Sequence, residues 1–425
     1  MRFQDSLAII IGKVVSLISK TFRLGAGATW PGEAALMISP SILRSLSSQF
    51  TKGIILVAGT NGKTTTALML KTILTHEKLS VVHNNSGANL LNGLVSSCLI
   101  SAATQNDYGV FEVDENSLPV VLRFITPKAI VILNLFRDQL DRYGEVDVIA
   151  EKWKKSIATL TEETTLVLNA DDPLIASLGK NSKARVVYFG LTEKADAVIA
   201  LEHATDSIFC LFCGARLLYY TYYFSHLGDW YCNVCGEKRP ELALSSFESP
   251  LPGLYNTYNT LGAVLTAQTL GIQMDHIKNS LVGFTPAFGR QEEFKVGDKK
   301  IKLFLSKNPA GFNASLRAVL DMKPSVMLLC LNDRIPDGRD ISWIWDVDFE
   351  KIPPESSVVV SGDRVYDMAL RIKYCEHNKL IVEPVLKNAL SKGLETIQEG
   401  ETLYILATYS AMLEVRKILT GKKIL

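Results

Sequence analysis

Residues 54–66 read Ile-Ile-Leu-Val-Ala-Gly-Thr-Asn-Gly-Lys-Thr-Thr-Thr, and this stretch decides the fold. An apolar run ends at Gly59, a short loop of small residues follows, and a helix-like apolar pattern begins at Ala67. This order predicts a strand, a phosphate-binding loop and a helix, because backbone N–H groups and a helix N-terminus attract phosphate oxygens. In such a loop Lys63 reaches the β- and γ-phosphates, and the Thr64 hydroxyl binds Mg²⁺. The alternative is a glycine-rich turn before an ordinary helix, which leaves the lysine and the hydroxyl unexplained.

The length and composition indicate a multidomain globular protein. A chain of 425 residues is too long for one compact core, so two or three domains are expected. The hydrophobic share of 47% and the charged share of 21% are typical of globular proteins. A net charge of +1 provides no general attraction for nucleic acid or for an anionic membrane.

The N-terminal apolar run at 7–11 is interrupted at Lys13 and is too short to span a bilayer. No small-residue cleavage site follows it, so a signal peptide is not expected and the chain is predicted to be cytoplasmic. One helix face is marked by four apolar residues: Ile10, Val14, Leu17 and Ile18. Packing of this face on the protein is favoured over a weak affinity for a membrane surface.

Acidic residues follow one of the apolar runs that have the character of buried parallel strands. The run at 108–113 carries Glu112, and Asp114 and Glu115 come directly after it. A carboxylate at a strand end near a phosphate loop commonly binds Mg²⁺, which makes Glu112 the first candidate. Glu115 fits a solvated loop acid.

Two further loops follow predicted strands and supply polar candidates. In α/β proteins ligands bind at the ends of such strands, so Asn85 and Asn89 are candidates for substrate contact, with an ordinary loop equally open. Asp172 follows the strand run at 166–168 and precedes Pro173. Its carboxylate is a candidate for the nucleotide site, or it caps a turn.

The chain is predicted to be an α/β protein with three regions. Residues 1–45 form an N-terminal helical segment, 46–297 form the nucleotide-binding domain, and 298–425 form a smaller Rossmann-like domain. The last region is indicated by strands that alternate with helices, at 326–331, 357–360 and 403–407.

Four cysteines form two C-x2-C pairs inside the nucleotide-binding region, in an insertion at about 205–240. They are Cys210, Cys213, Cys232 and Cys235. A glycine follows each pair, and four thiolates suit a closed tetrahedral Zn²⁺ site, so a structural zinc ribbon is favoured over two redox pairs. Zinc ribbons also bind nucleic acid, and tyrosines at 219–223 could stack on bases. The insertion has few basic residues, which argues against a nucleic-acid partner.

Several motifs together resemble the Mur ligase family, which joins amino acids to peptidoglycan precursors with ATP. They are Gly-Thr-Asn-Gly-Lys-Thr at 59–64, Asn134 with Asp138, Asn169-x-Asp171-Asp172, Asn256 with Asn259, Gly289-Arg290-x-Glu292, and Asn308-Pro309. The resemblance implies a Mur-like ATP-binding domain followed by a small Rossmann-like domain. Gln139 stands where the family has a metal-binding histidine, and Tyr255 replaces the histidine of the family segment whose polar groups meet the adenine.

The resemblance also implies roles for individual residues. ATP is bound by the loop and by three side chains further along the chain: Gly59, Thr60, Asn61, Gly62, Lys63, Thr64, Thr65, Asp172, Asn256 and Asn259. Arg290 neutralises the transferring phosphate, which suits the fixed fork of guanidinium donors. Lys63, Glu112, Arg290 and Asp340 are the predicted catalytic residues, with Mg²⁺ at Thr64 and Glu112.

The ribbon and the segment Asp337-Gly338-Arg339-Asp340-Ile341-Ser342-Trp343 resemble the amidating branch of the family. This branch amidates the α-carboxyl of D-glutamate in lipid II through an acyl phosphate, at the inner face of the plasma membrane. Its ammonia comes from a separate glutaminase subunit of the GatD type, so a heterodimer is implied. The alternatives are a folylpolyglutamate synthase, another Mur-type amino-acid ligase, or an ATP-dependent binding module.

A separate glutaminase agrees with the remaining cysteines, because Cys98, Cys330 and Cys375 lie in stretches without a catalytic motif. From the resemblance, Asp340 is predicted to complete the catalytic triad of that partner, and a simple turn at 337–340 is the alternative. Three other acids are second choices for this role: Asp337, Asp346 and Asp348.

Overall fold

The computed structural model describes residues 2–21, 29–84, 88–101, 105–138, 146–180, 182–192, 202–286 and 290–421, without the side chains of Lys20 and Arg290. Two six-stranded sheets and a two-stranded hairpin form the framework, with helices on the faces of both sheets. The predicted α/β class is confirmed.

The first sheet is entirely parallel and has the order β2-β3-β1-β4-β5-β6. Its strands are β1 (Phe50–Ala58), β2 (Val81–His83), β3 (Asn106–Glu112), β4 (Ala129–Ile132), β5 (Thr165–Asn169) and β6 (Arg185–Phe189). β4 and residues 54–58 of β1 are central and continuously apolar because both faces of the sheet are covered there. The carboxyl ends of β1, β3 and β4 therefore meet at one edge, where the phosphate loop, Glu112 and Asn134 lie.

Helices cover this sheet on both sides. They are α1 (Phe3–Thr21), α2 (Trp30–Ile38), α3 (Ile42–Ser47), α4 (Lys63–His76), α5 (Leu91–Ile100), α6 (Ser117–Val121), α7 (Val146–Ile157), α8 (Pro173–Leu178), α9 (Leu254–Thr269) and α10 (Met274–Leu281). α4 and α9 share one core with Ile55 and Val57, whereas α1–α3 and α5–α8 pack on the opposite face around Ile54 and Leu56. The phosphate loop is thus held between two fully packed layers.

The second sheet has the order β13-β12-β11-β14-β10-β9, parallel except for β9. Its strands are β9 (Arg290–Val296), β10 (Lys299–Leu305), β11 (Val326–Cys330), β12 (Ser357–Ser361), β13 (Leu380–Val382) and β14 (Thr402–Ala407). Its helices are α11 (Pro309–Asp321), α12 (Val365–Tyr374), α13 (Leu386–Thr396) and α14 (Tyr409–Thr420).

The predicted domain boundary at 297/298 needs correction. Residues 297–298 form the turn between β9 and β10, which pair antiparallel within the second sheet. The change of sheet therefore lies before Arg290. The sequence suggested a boundary because Gly297-Asp298 is a turn signal, and Gly297 does adopt a positive φ of 59°.

The favoured interpretation of the N-terminal apolar face is also wrong. The small and polar side of α1 faces the protein, and the large apolar residues Ile10, Val14, Leu17 and Ile18 face outwards. Gly12 explains the orientation, because a Cβ there would lie 2.6 Å from Leu99 Cδ1. Across the described residues, no helix combines the length and the apolar character that a membrane span requires.

Candidate active site

The phosphate loop has the backbone geometry that its glycines permit. Gly59 and Gly62 have φ values of 133° and 89°, and a Cβ on Gly62 would lie 1.9 Å from Asn259 Oδ1. Asn134, two residues after the end of β4, forms two hydrogen bonds with the backbone of the loop. Its Oδ1 accepts from Asn61 N at 2.9 Å, and its Nδ2 donates to Asn61 O at 3.1 Å. Asn134 was not among the predicted site residues, although its place after a central strand marked it.

Lys63 lies inside the loop with its ammonium group buried. Nζ donates to the carbonyl oxygens of Gly59 and Thr60, and it forms an ion pair with Glu115 at 3.3 Å. Burial opposes ionisation of Glu115, but the charges of Lys63 and Lys307 outweigh burial and lower its pKa. The expectation of a solvated loop acid at Glu115 is therefore wrong: this carboxylate is buried and positions the lysine.

Thr64 and Glu112 form an oxygen pair suited to Mg²⁺. The Thr64 hydroxyl donates to Glu112 Oε2 at 2.6 Å, while Glu112 Oε1 is buried and has no hydrogen-bond partner within the described part of the chain. Two hydrogen bonds to Asn84 fix the backbone of Glu112. Carboxylate and hydroxyl oxygens are ligands that Mg²⁺ prefers, so the residues present fit this cation.

A cleft opens beside the phosphate loop, between the two domains, with about 740 Å³ of space that includes its solvent-open mouth. Asn61, Gly62 and Thr65 form its phosphate end, and Asn256 and Asn259 of α9 line its wall. The rest of the wall is mainly apolar, with Phe136, Phe224, Leu227, Leu251, Tyr255 and Phe304. An apolar cleft with a few polar groups next to a phosphate loop suits a nucleotide base.

Asp172 does not belong to this cleft. Its Oδ1 accepts from the N–H groups of Leu174 and Ile175 at the start of α8, and its Oδ2 accepts from Leu135 N. The side chain is fully buried, so Asp172 is a helix cap that also fixes the chain after β4. The predicted contact with the nucleotide is therefore corrected to the alternative, a capping role.

The second domain reaches the phosphate loop through the segment before α11. Asn308 caps α11 by accepting from Gly311 N at 2.7 Å, and its side-chain amide lies within hydrogen-bond distance of the Asn61 amide. Lys307 forms an ion pair with Asp138, whose Oδ1 is buried without a partner in the described structure. These two contacts join the second domain to the carboxyl edge of the first sheet. The residues that they connect are 169 and 247 positions apart in sequence.

A second cleft lies on the other side of this junction and is lined by three of the four acids considered for the partner triad, Asp337, Asp340 and Asp346. Asp337 is buried and accepts from Ser410, and Asp346 forms an ion pair with Arg137 at 3.1 Å. Asp348 is buried and bonds to His203 and Lys351. Asp340 is exposed, its Oδ1 accepts from Ser342 N at 2.8 Å, and it forms no ion pair in the described part of the chain. Of the four acids, Asp340 is the most available to another molecule.

Several predicted residues cannot be placed in the site. Asn85 and Gln139 lie outside the described residues, and only the backbone of Arg290, at the start of β9, is described. Asn89 is described, and its carbonyl accepts from Asp114 N at 3.0 Å, two residues after the end of β3. Its side chain is half-buried near the carboxyl end of β3.

The four cysteines form one cluster, as predicted. The ligand atoms of Cys210, Cys213, Cys232 and Cys235 all lie within 4.8 Å of one another. Gly214 and Gly236 have φ values of 74° and 79° and donate to the carbonyls of Cys210 and Cys232, which forms two tight turns beneath the sulfurs. The thiol chemistry and the convergent geometry fit a tetrahedral metal ion.

A hairpin carries this cluster and joins it to the first sheet. It comprises β7 (Leu218–Phe224) and β8 (Leu227–Tyr231). Trp230 Nε1 donates to Ala170 O at 2.9 Å, and Arg239 forms an ion pair with buried Asp171 at 2.8 Å. Burial raises the pKa of Asp171 to about 6, although Arg239 opposes this change.

Comparison with known proteins gives matches along the whole chain. Residues 57–267 match the Mur ligase middle domain, and residues 305–412 match the MurT ligase C-terminal domain. The MurT subunit of lipid II isoglutaminyl synthase from Staphylococcus aureus (strain COL) is 35% identical over 87% of this chain and 88% of its own length. The chain belongs to the MurT family of Mur ligases.

Further matches agree with membership of the MurT family. The subunit of the same name from Streptococcus pneumoniae is 34% identical over 100% of this chain and 99% of its own. Among solved structures, a pseudomurein peptide ligase type C from Methanothermus fervidus covers 89% of this chain and 80% of its own, with 23% identity and a TM-score of 0.68. This last likeness shows the fold. The MurT C-terminal match covers β11 to β14 of the second sheet and includes the segment that carries Lys307, Asn308 and Asp340.

Proposed function

We propose that this chain is the ATP-dependent synthetase subunit that amidates the α-carboxyl of D-glutamate in the stem peptide of lipid II. An oxygen of the carboxylate attacks the γ-phosphorus of ATP, and ADP leaves. Ammonia then attacks the acyl carbon, phosphate leaves, and a proton is released, which yields D-isoglutamine. Membership of the MurT family carries this proposal, because the relatives over nearly the full length are named as subunits of lipid II isoglutaminyl synthase.

The geometry of the phosphate loop supports the first half of the reaction. ATP would place its base in the apolar cleft near Asn256 and Asn259, and its phosphates against the N–H groups of residues 59–64. Lys63 would turn from the carbonyls of Gly59 and Thr60 towards the β- and γ-phosphates, with Glu115 keeping the ammonium group in the loop. Arg290, at the start of β9, remains the proposed second cation at the transferring phosphate.

Mg²⁺ would be bound by the Thr64 hydroxyl and by Glu112, whose buried Oε1 lacks a partner among the described residues. The cation supplies charge neutralisation between the phosphates when it is bound. Asn84 holds the backbone of Glu112 in place, so the carboxylate is already oriented. Asn85 and Asn89 are proposed for the acceptor substrate.

The nitrogen donor is proposed to be a separate glutaminase subunit of the GatD type. Outside the four-cysteine cluster, burial raises the pKa of Cys98 to about 12 and of Cys375 to about 11. Burial also raises the pKa of Cys330. A nucleophilic cysteine needs the opposite shift, so a second chain would provide it. Asp340 is the residue proposed to enter the active site of this partner.

The four-cysteine cluster is proposed to hold Zn²⁺ as a structural ion. All four positions of a tetrahedral ion would be taken by sulfur, which leaves no open position for catalysis. The hairpin that carries it bonds to the residues after β5 and contributes Phe224 and Leu227 to the cleft, so it would support both the first sheet and the cleft wall. The protein is proposed to work in the cytoplasm, where ATP is available, on a substrate at the inner face of the plasma membrane.

The test is release of ADP in mixtures that each omit one reactant. With lipid II, ATP and ammonium present, we expect ADP and amidated lipid II in equal amounts. No ADP should form without lipid II, and no amidated lipid II should form without ammonium. Adding a reduced folate and glutamate in place of lipid II and ammonium tests the folylpolyglutamate synthase alternative. ADP release in that mixture, with none in the first, would reject the proposed function.

A further inference from the structure

The helix α1 (Phe3–Thr21) is amphipathic, but its small and polar residues face the protein and its large apolar residues face outwards. Its inner face consists of Asp5, Ala8, Gly12, Ser16 and Ser19, all buried. Its outer face carries a stripe of large apolar residues, which we call the α1 stripe: Phe3, Leu7, Ile10, Val14, Leu17 and Ile18. Phe3, Ile10 and Leu17 are 84%, 59% and 67% exposed. An ordinary surface helix places such residues inside.

This orientation is fixed by contacts on the inner face. Asp5 accepts hydrogen bonds from Ser39 Oγ at 2.7 Å and from Ser45 Oγ at 2.6 Å, and these bonds lower the pKa of the buried carboxyl. A Cβ on Gly12 would lie 2.6 Å from Leu99 Cδ1 and 3.1 Å from Pro31 O, so a larger residue there would push its neighbours apart. Rotating the helix to hide the stripe would break these bonds and press large residues into that gap.

Neighbouring groups extend the apolar surface and give it positive charge. On α2, Trp30 and Met37 are both exposed and lie two turns apart on the same face of the helix. The only acid in α1 is the buried Asp5, whereas Lys13 and Arg2 are exposed. The exposed acid of α2, Glu33, accepts from Asn92.

The N-terminal end of the stripe adjoins a shallow depression lined by Arg2, Asp5, Ser41, Arg44 and Ser45. Neither arginine forms an ion pair within the described part of the chain, although Arg44 donates to Arg123 O at 3.1 Å. An apolar face beside exposed arginines and an exposed tryptophan is the pattern of a helix that lies in the headgroup region of an anionic bilayer.

We infer that the α1 stripe is the surface by which this protein docks on an anionic lipid bilayer, with α1 parallel to the membrane plane. The stripe enters the boundary between headgroups and acyl chains, and Arg2, Lys13 and Arg44 contact lipid phosphates. The choice of a bilayer over a protein partner rests on this charge complementarity and on the proposed function, whose substrate is lipid-linked.

The test is binding of the full-length chain to sedimenting vesicles of phosphatidylcholine with or without phosphatidylglycerol, with no substrate present. We expect binding to the anionic vesicles that weakens as salt is raised. Ile10→Ser/Leu17→Ser should lower the affinity at least about tenfold, because two apolar side chains no longer enter the bilayer. Arg2→Gln/Arg44→Gln should lower it by about fivefold per arginine, and only for anionic vesicles.

A matched control is Val282→Ser/Ile335→Ser, which removes two exposed apolar residues from other parts of the surface and should bind as the native chain does. Circular dichroism and thermal melting check that each variant is folded, and Leu7→Ser/Val14→Ser provides a second stripe variant. The inference is overturned if the folded native chain does not bind anionic vesicles. It is equally overturned if both stripe variants bind these vesicles as well as the native chain does. It is also overturned if the stripe variants instead abolish a dimer or a complex with a protein subunit, measured by light scattering.

Failure of this inference and failure of the proposed function can be told apart. A lipid II analogue with a short, water-soluble isoprenoid chain reports amidation without a bilayer. Amidation of that analogue without vesicle binding would reject the docking surface and leave the function standing. Vesicle binding without amidation of either substrate would reject the function and leave the docking surface standing.

Discussion

At the scale of single residues, Lys63 is the group on which ATP turnover depends most directly. Its ammonium group is buried in the phosphate loop, and its partners among the described residues are two backbone carbonyls and Glu115. For Lys63→Ala we expect ATP turnover to fall by roughly 10²-fold or more, the effect of losing one electrostatic donor at the reacting group. Lys154→Ala, which removes an exposed lysine of α7, should leave turnover unchanged. Full turnover in folded Lys63→Ala protein would show that the loop does not hold the phosphates.

The Lys63–Glu115 pair also makes a prediction about stability and pH. Because the pKa of Glu115 is lowered in the folded protein, the pair stabilises the fold at neutral pH and loses this effect as the pH falls through that lowered pKa. Lys63→Ala leaves a buried, unpaired carboxylate and should lower the free energy of unfolding by about 3–5 kcal/mol at neutral pH.

Urea unfolding over a range of pH measures this effect. The difference between the native chain and Lys63→Ala should narrow as the pH falls through the lowered pKa of Glu115, where this carboxylate becomes neutral in the native chain as well. Adding Glu115→Gln to Lys63→Ala should restore much of the lost stability at neutral pH. A difference that stays constant with pH would contradict the assigned pairing.

A substitution of Asp340 should affect amidation from glutamine differently from amidation from ammonium. Asp340 is exposed, and within the described part of the chain its side chain accepts from Ser342 N, so Asp340→Asn should preserve the fold of this chain. With the glutaminase subunit present, we expect glutamine-dependent amidation to be lost and ammonium-dependent amidation to persist. Asp321→Asn, at the end of α11, is the control and should affect neither. Equal loss with both donors would place Asp340 in the synthetase site, and no loss would make it a turn residue.

At the scale of elements, the hairpin of β7 and β8 depends on the four-cysteine cluster. Elemental analysis should find one zinc ion per chain, because the four sulfurs converge on one point. Cys232→Ser should lose the ion and lower the melting temperature, since structural zinc contributes folding energy directly. Cys375→Ser, outside the cluster, should retain it. A fully active, metal-free native preparation would contradict a structural zinc site.

The elements that could be predicted from the sequence are those whose signal is local. The apolar runs of β1, β4, β11 and β14 and the loop at 59–64 each carry their own pattern, and all were found as predicted. The hairpin of β9 and β10 was divided between two domains because its turn residues resemble a linker. The outward face of α1 was missed because periodicity identifies an apolar face without saying whether anything covers it.

Some residues of the site could be predicted from local sequence, whereas the roles of others depend on the tertiary structure. The residues of the loop and the acid at the end of β3 were predicted from their position after a strand. The roles of Glu115, Asn134 and Asn308 depend on side chains that meet only after folding. Asp172 was assigned to the nucleotide because helix capping and ligand binding use the same residue type at the same kind of position.

At the scale of the whole molecule, the proposed reaction site belongs to neither domain alone. The cleft takes Asn61 and Asn259 from the first domain, and Phe304 and Gly311 from the second. The contact between Asn61 and Asn308 sets the distance between the phosphate loop and the second sheet. Proteins with such divided sites can exclude water from an activated intermediate by keeping the two domains together.

The proposed acyl phosphate provides the most direct test of the function. Lipid II carrying a heavy-oxygen label in the α-carboxyl of D-glutamate is incubated with the chain, ATP and ammonium, and the released phosphate is analysed by mass spectrometry. Because the attacking carboxylate oxygen leaves with the phosphate, we expect one labelled oxygen in the phosphate for each amide formed. Amide formation with no label in the phosphate would contradict a reaction through an acyl phosphate at this site.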